Sequence, residues 1–338
     1  MFAVLDCGTT TTRIYFIDED RNILAAGREK IGVRNTAIAG TRDVLRDGIT
    51  RLFRSTLDTI GAQESDVDFI IASGMITSEL GLMEIPHIVA PAGIRELADS
   101  VCEVQAWEIL PLSCPIYFVR GVRNNYGDTA SPEMLRSVDF MRGEEAQVMG
   151  VLANGGRKGP CTIVALSSHT KLIYIDEQNR IAASNTTLSG QLYEALCSAT
   201  SIGNSLRPCA GEPGGGYTRE ELTDIAVDCV KNAGLSRTLL MPRFMQVLMR
   251  TNSEERRIFT DAALAADDMY AFHEMQHRGM TGERYIFYGH SERCSMYEAM
   301  LKKEFGNSIC VESIPGAEAQ DRLTVDGNIA IALHKMRK

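Results

Sequence analysis

No stretch of this 338-residue sequence is apolar for long enough to cross a membrane as a helix, and its cysteines never fall in C-x-x-C spacing. The first absence removes a transmembrane segment. The second removes zinc knuckles and dithiol redox motifs. The nine cysteines (7, 102, 114, 161, 197, 209, 229, 294 and 310) are odd in number and scattered, the pattern of reduced, mostly buried thiols in a cytoplasmic protein. Basic charge is also short, with 35 Lys and Arg against 44 Asp and Glu and a net charge of −9. No basic stripe stands out to neutralise a phosphate backbone, so no nucleic-acid partner is expected. A charged-then-apolar leader is not seen either, because the chain opens on the strand-like FAVLDC. What is present, 44% hydrophobic residues over 338 positions, suffices for two packed cores.

Two stretches read as copies of one device. The first is VLDCGTTTTRIYFIDEDRNILAA from Val4, the second IVALSSHTKLIYIDEQNRIAA from Ile163. With Arg13 laid on Lys171, they share Ile17/Ile175, Asp18/Asp176, Glu19/Glu177, Ile23/Ile181 and Ala25/Ala183. Each is an apolar run, a knot of small hydroxyl residues ending in a cation, a second apolar run and an acidic-polar turn. That predicts a β-hairpin repeated once in each half.

The tips carry anion chemistry. Gly8, Thr9 and Thr10, followed by two more threonines and Arg13, offer backbone N–H groups, hydroxyls and a guanidinium to phosphate oxygens. Asp6 ends the first strand where a carboxylate could hold Mg²⁺ against that anion. Ser167, Ser168, His169, Thr170 and Lys171 offer a similar donor set without the carboxylate. A hydroxyl-rich turn alone is ordinary; the pairing predicts a polyphosphate gripped by both tips.

Around the hairpins, the pattern alternates strand and helix. A helix capped at Thr41 presents Val44, Leu45, Ile49, Leu52, Phe53, Leu57 and Ile60 and stops at Gly61. DFIIAS (68–73) and IYFV (116–119) read as strands, Ser131-Pro132 as the start of a helical region, and a helix bearing Val148, Met149 and Leu152 runs to Gly155-Gly156. That glycine pair is the expected boundary between domains at 1–152 and 157–338. In the second, Thr218 and Glu221 form a capping box, GEPGGGY (211–217) is a loop able to bend around a ligand, an amphipathic helix spans Ser253 to His277, and RYIFYG (284–289) is a strand. A last helix over Asp326–Met336 is expected to pack back on the first domain.

At this level the chain resembles the 2-dehydro-3-deoxygalactonokinases of the actin, sugar-kinase and heat-shock chaperone superfamily. DCGTTTTR is similar to that family's D-x-G-T-T/S-x-x-R. SGMITSELGLMEIPHIVAPA (73–92) matches its G-M-I-x-S-x-x-G-x-x-E-x-P stretch at Gly74, Met75, Ile76, Ser78, Gly81, Glu84 and Pro86. VRGVRNN (119–125), DFMRGEEAQVMG (139–150), HTK (169–171) and SGQLYEAL (189–196) resemble further family elements in order. The chain departs from the pattern at Leu166-Ser167-Ser168, where the family has Pro-Gly-Thr, at Cys7 for an aromatic and at Arg120 for a proline.

The resemblance implies an α/β, two-domain actin-like ATPase (ribonuclease H-like) fold with an interdomain cleft, and an ATP- and Mg²⁺-dependent sugar-acid kinase of galactonate catabolism. ATP would lie on the second domain, with Gly8, Thr9, Thr10 and Arg13 and then Ser167, Ser168, His169, Thr170, Lys171, Ser189, Gly190 and Gly289 around it. Asp6 would hold the metal. The base would be Glu144 or Glu145, because related exopolyphosphatases place a working glutamate in a similar G-x-E-E-A segment. Glu144 is favoured, since Glu145 shares helical register with Met149 and Leu152. The acceptor's carboxylate calls for forked cations, first Arg123 and Arg13, then Arg142 and Arg120, while Ser78 and Glu84 would bind hydroxyls. Small-molecule sugar acid and ATP are the expected partners, with a second copy in a homodimer.

Two rival readings remain at this stage. His273-Glu274-Met275-Gln276-His277 fits H-E-x-x-H, the signature of a zinc hydrolase, with Glu298 as a candidate third ligand. A non-catalytic nucleotide or sugar-acid sensor on the same fold would bind without turnover.

Overall fold

The repeat read in the sequence is a repeat of backbone geometry. In this computed structural model, which describes all residues except 210, 213, 281, 282, 307 and 338, the strands of the first part are β1 (Phe2–Cys7), β2 (Thr12–Ile17), β3 (Ile23–Glu29), β4 (Ile70–Gly74), β5 (Ile88–Val89), β6 (Cys102–Gln105), β7 (Pro115–Phe118), β8 (Val122–Arg123) and β9 (Phe140–Met141). Those of the second are β10 (Cys161–Leu166), β11 (Thr170–Ile175), β12 (Ile181–Thr187), β13 (Arg284–Gly289) and β14 (Cys310–Pro315). The aligned turns match atom for atom. Asp18 N–H donates to Asn22 O, and the Asp18 carboxylate accepts from Asn22 N–H; Asp176 and Arg180 repeat both bonds. Arg21 at φ 69° and Asn179 at φ 60° occupy the same place in the two turns and are the non-glycine residues with positive φ among those described.

The three sheets run β3-β2-β1-β4-β7-β6, β5-β8-β9 and β12-β11-β10-β13-β14. In the first, β1 is antiparallel to β2 and parallel to β4, which is parallel to β7. In the third, β10 is parallel to β13 and β13 to β14. The two larger sheets therefore share one strand order, the doubled α/β plan of the actin-like ATPase (ribonuclease H-like) fold.

By contacts, the chain divides into one unit of Met1–Pro160, Ile175–Ser184 and Glu318–Lys338 and another of Cys161–Tyr174 and Asn185–Ala317. In the first unit, β4 (IIASG) is buried along its whole length, as expected for a parallel strand covered on both faces. The helix Asp43–Asp58 turns Leu45, Ile49, Leu52, Phe53 and Leu57 into that core, with Phe53 edge-on to Phe16. Burying each such side chain contributes about 1.5–3 kcal/mol. Val44, expected on that face, is exposed, and the helix starts after Arg42 rather than at a Thr41 cap. The region after Ser131 forms only a three-residue 3-10 turn, Pro132–Met134, because the exposed Met134 and Leu135 have no core to cover. The last helix is longer than expected, Ala317–Met336, and meets the helix Glu144–Ala153 through Gln147–Thr324 and Asn154–Asp326 hydrogen bonds.

The second unit is built around the helix Ser253–His277. Its Asn252 cap accepts from Glu255 N–H while the Glu255 carboxylate accepts from Asn252 N–H, so two orphan donors are satisfied reciprocally. Phe259, Ala262, Ala263, Leu264, Ala266, Met269 and Phe272 are buried along it. The expected capping box at Thr218 opens the helix Arg219–Ala233, which packs on this one. Of the glycine-rich stretch 211–217, Pro213 lies outside the described residues; the rest is tied down, with Gly215 and Tyr217 N–H donating to Glu255, and Glu212 paired at 2.8 Å with the buried Arg256. Among the described residues, no helix is long and apolar enough to cross a membrane.

Candidate active site

In the first unit, strand register brings the chemistry together. Asp6 and Arg13 are directly opposed on β1 and β2, and the guanidinium lies 3.1 Å from the Asp6 carboxylate. From the other side, Arg13 Nε lies 3.1 Å from Asp321 on the last helix. Burial pushes the Asp6 carboxyl up to about 6; Arg13 pulls it back, and the charges of Asp321 and Glu144 raise it again. Carboxylates thus outnumber cations around Asp6. A divalent cation would relieve that surplus, so the residues fit Mg²⁺ held by Asp6. The backbone is close here: Gly74 has φ 88°, and a Cβ on it would sit 2.6 Å from the Cys7 carbonyl oxygen.

Gly8 N–H closes the hairpin tip on Thr11 O at 2.9 Å, while Thr9 and Thr10 are exposed. The two glutamates at the start of the helix Glu144–Ala153 differ. Glu145 is fully buried, and both its oxygens accept from Gly143 N–H at 2.8 Å. Burial, then the charge of Glu144, pushes its carboxyl up to about 8. Glu144 is half-buried and close enough to Asp6 to perturb it.

The acceptor candidates are more dispersed. Arg142 donates to Thr77 Oγ1 and Ile85 O, both at 2.7 Å, bracing the 73–92 segment. Ser78 is buried, its hydroxyl donating to Met75 O at 2.7 Å. Glu84 is exposed beside Arg42 and Glu108 on a surface groove. Arg123 on β8 stacks over Tyr126 at 4.3 Å and donates to Asn124 O.

In the second unit, Ser167 and Ser168 form an exposed tip, with His169 half-buried behind them. The helix Ser189–Ala199 begins against this tip: a Cβ on Gly190 would fall 2.3 Å from Ser167 O, so only glycine permits the approach. Thr170 and Ser189 share a 2.8 Å hydrogen bond. Lys171, however, is buried and donates to Thr186 Oγ1 at 2.6 Å. Gly289 sits where a Cβ would meet Leu166 O at 2.2 Å, which packs β13 beside β10.

A family model described as 2-keto-3-deoxy-galactonokinase matches residues 6–320. The chain belongs to this family. A curated relative, "Probable 2-dehydro-3-deoxygalactonokinase DgoK1" of Rhizobium meliloti (strain 1021), is 26% identical over 206 residues, which amount to 61% of this chain and 59% of the relative. A crystal structure of a Sinorhizobium meliloti protein with the same provisional name superposes with a TM-score of 0.72 at 21% identity, covering 98% of both chains, and supports the fold.

Several groups in this family member escaped the sequence reading. Asp321 is one. In the second unit, Asp268 is buried in the helix Ser253–His277 and accepts from Thr187 Oγ1 at 2.6 Å, Ser189 Oγ at 2.8 Å and Tyr297 OH. Arg293 donates from Nη1 to Ser167 O and from Nη2 to Thr170 Oγ1, Ser189 Oγ and Tyr297 OH. Asp261, one helical face with Asp268, is pushed up to about 6, first by burial, with Arg293 pulling it down. The signal was present: two aspartates seven apart inside an alanine-rich buried stretch. The H-E-x-x-H reading fails on geometry, since His273 Nε2 pairs with Glu304 at 2.8 Å and its ring rests on Phe305. Among the described residues, no group of three or more His, Cys, Asp or Glu is arranged to hold a metal.

Proposed function

We propose that this protein is an ATP-dependent sugar-acid kinase that transfers the γ-phosphate to a hydroxyl of 2-dehydro-3-deoxygalactonate or a close analogue. The family match over residues 6–320 carries the reading. The paired hairpins with hydroxyl-rich tips support it, because phosphoryl transfer asks a protein mainly for positioning and charge neutralisation.

In this reading, Asp6 holds Mg²⁺, which when bound neutralises charge on the phosphate oxygens. Arg13, anchored by Asp6 and Asp321, keeps a guanidinium beside that carboxylate. The tip donors of Thr9 and Thr10 and of Ser167, Ser168 and His169 bind phosphate oxygens, while Gly8 N–H closes the first tip on Thr11 O and the buried Thr170 holds the second through Ser189. Ser189 and Gly190 support the second tip, Lys171 braces β11 through Thr186, and Gly289 serves β-sheet packing.

Glu144 accepts the proton of the attacking hydroxyl. Its half-open carboxylate supports this role, whereas Glu145 is committed to Gly143 N–H. Arg123 and Glu84 contact the sugar acid, with Arg142 and Ser78 fixing the segment that carries Glu84. Nine free thiols agree with a cytoplasmic setting.

The test is ADP formation from MgATP with a panel of 2-dehydro-3-deoxy sugar acids, plain aldoses and a no-acceptor control. Turnover confined to the oxo acids is expected. Equal turnover with plain aldoses would remove the sugar-acid assignment, and binding of ATP without any turnover would favour a sensor.

A further inference from the structure

The second hairpin was expected to bring its own cation, but the Lys171 ammonium is buried against Thr186. A different cation occupies the tip. Arg293, from the first turns of the helix Ser291–Phe305, reaches across the fold to Ser167 O at 2.9 Å and to Thr170 Oγ1 at 3.1 Å. With Ser167, Ser189, Gly190, Tyr193 and Asp261 it lines a pocket of about 130 Å³.

An arginine has five N–H groups. One on Nη1 and the pair on Nη2 are engaged by Ser167, Thr170, Ser189 and Tyr297. The Nε–H and the other Nη1–H have no partner among the described residues. The side chain is held in place without being used up. Its anchorage is itself anchored, because Tyr297 OH and Ser189 Oγ both donate to the buried Asp268 carboxylate. A buried carboxylate satisfied by three hydroxyls is a rigid support, since losing any one partner leaves charge uncompensated.

We propose that Arg293 is the cation of the second unit that binds the phosphates of the nucleotide beside the tip hydroxyls, and that Tyr297 and Asp268 are its positioning residues. The proposal rests on the kinase reading above and deepens it. Arg293 offers a planar fork suited to phosphate oxygens, and the exposed hydroxyls of Ser167 and Ser168 stand beside it.

The test compares equilibrium binding of MgATP and of adenosine to wild-type protein, Arg293→Met, Arg293→Lys and Tyr297→Phe. A phosphate contact predicts that Arg293→Met weakens MgATP about tenfold or more while leaving adenosine within about twofold, the range for loss of a charge-assisted hydrogen bond. Arg293→Lys should recover part of the loss, and Tyr297→Phe should weaken MgATP alone and by less. Parallel loss of MgATP and adenosine binding would mean that Arg293 only shapes the pocket and would overturn the proposal, as would unchanged MgATP affinity. Phosphate transfer by the wild type is read in the same preparation. Wild-type protein that binds MgATP but transfers nothing overturns the kinase reading, and the ratio of the two affinities still decides the role of Arg293.

Discussion

Replacing Glu145 by glutamine should flatten the dependence of stability on pH. Glu145 is fully buried at the start of the helix Glu144–Ala153, with Glu144 beside it and Arg142 its nearest cationic influence, and its carboxyl is pushed up from 4.5 to about 8. The folded protein therefore holds this proton more tightly than the unfolded chain does. The resulting stabilisation is complete below pH 4.5 and disappears as pH rises through about 8. Between those limits the fold should lose about 1.4 kcal/mol per pH unit from this one group, roughly 5 kcal/mol in all. Glutamine keeps the volume and an oxygen for Gly143 N–H but cannot ionise. The assay is urea unfolding from pH 5 to 8.5, followed by Trp107, the single tryptophan, which belongs to the same unit as Glu145. Wild type and Glu145→Gln should diverge steadily as pH rises, the variant gaining on the wild type. Parallel curves, with a constant gap at every pH, would refute the reasoning.

Other outcomes follow from the same geometry. Asp6→Asn should abolish turnover while leaving the far-ultraviolet circular dichroism unchanged; retained turnover would remove Asp6 from the metal site. Glu144→Gln should lower kcat at least about a hundredfold, the usual worth of a general base, with KM for ATP little changed. An unaltered kcat would discard Glu144 as the base. Arg256→Met should destabilise the second unit by about 3–5 kcal/mol, because it strands Glu212 and frees the 211–217 loop, as thermal unfolding would report. His273→Ala should leave turnover intact and the protein free of zinc by elemental analysis; a zinc-dependent activity lost in this variant would revive the hydrolase reading.

What could be read in advance depended on sequence distance. The hairpins were legible because alternation and turn residues act over a few positions, and Arg21 and Asn179 show how closely the copies correspond. The Thr218 capping box and the helix Ser253–His277 were legible for the same local reason. Arg293 meets Ser167 across 126 positions, and Arg13 meets Asp321 only because the last helix returns to the first unit. No local pattern announces such pairs. Lys171 illustrates the reverse error: its place in the repeat suggested a ligand cation, while its buried ammonium donates to Thr186 Oγ1 of the neighbouring strand β12. The start of the last helix was missed because its first turns, AEAQD, carry few apolar residues to reveal a period.

The central claim is transfer of phosphate to a sugar acid. Phosphorus NMR of a reaction containing the protein, MgATP and 2-dehydro-3-deoxygalactonate tests it most directly. A phosphomonoester resonance growing in step with ADP is predicted. Release of inorganic phosphate alone, or no change in ATP with acceptor present, would contradict it.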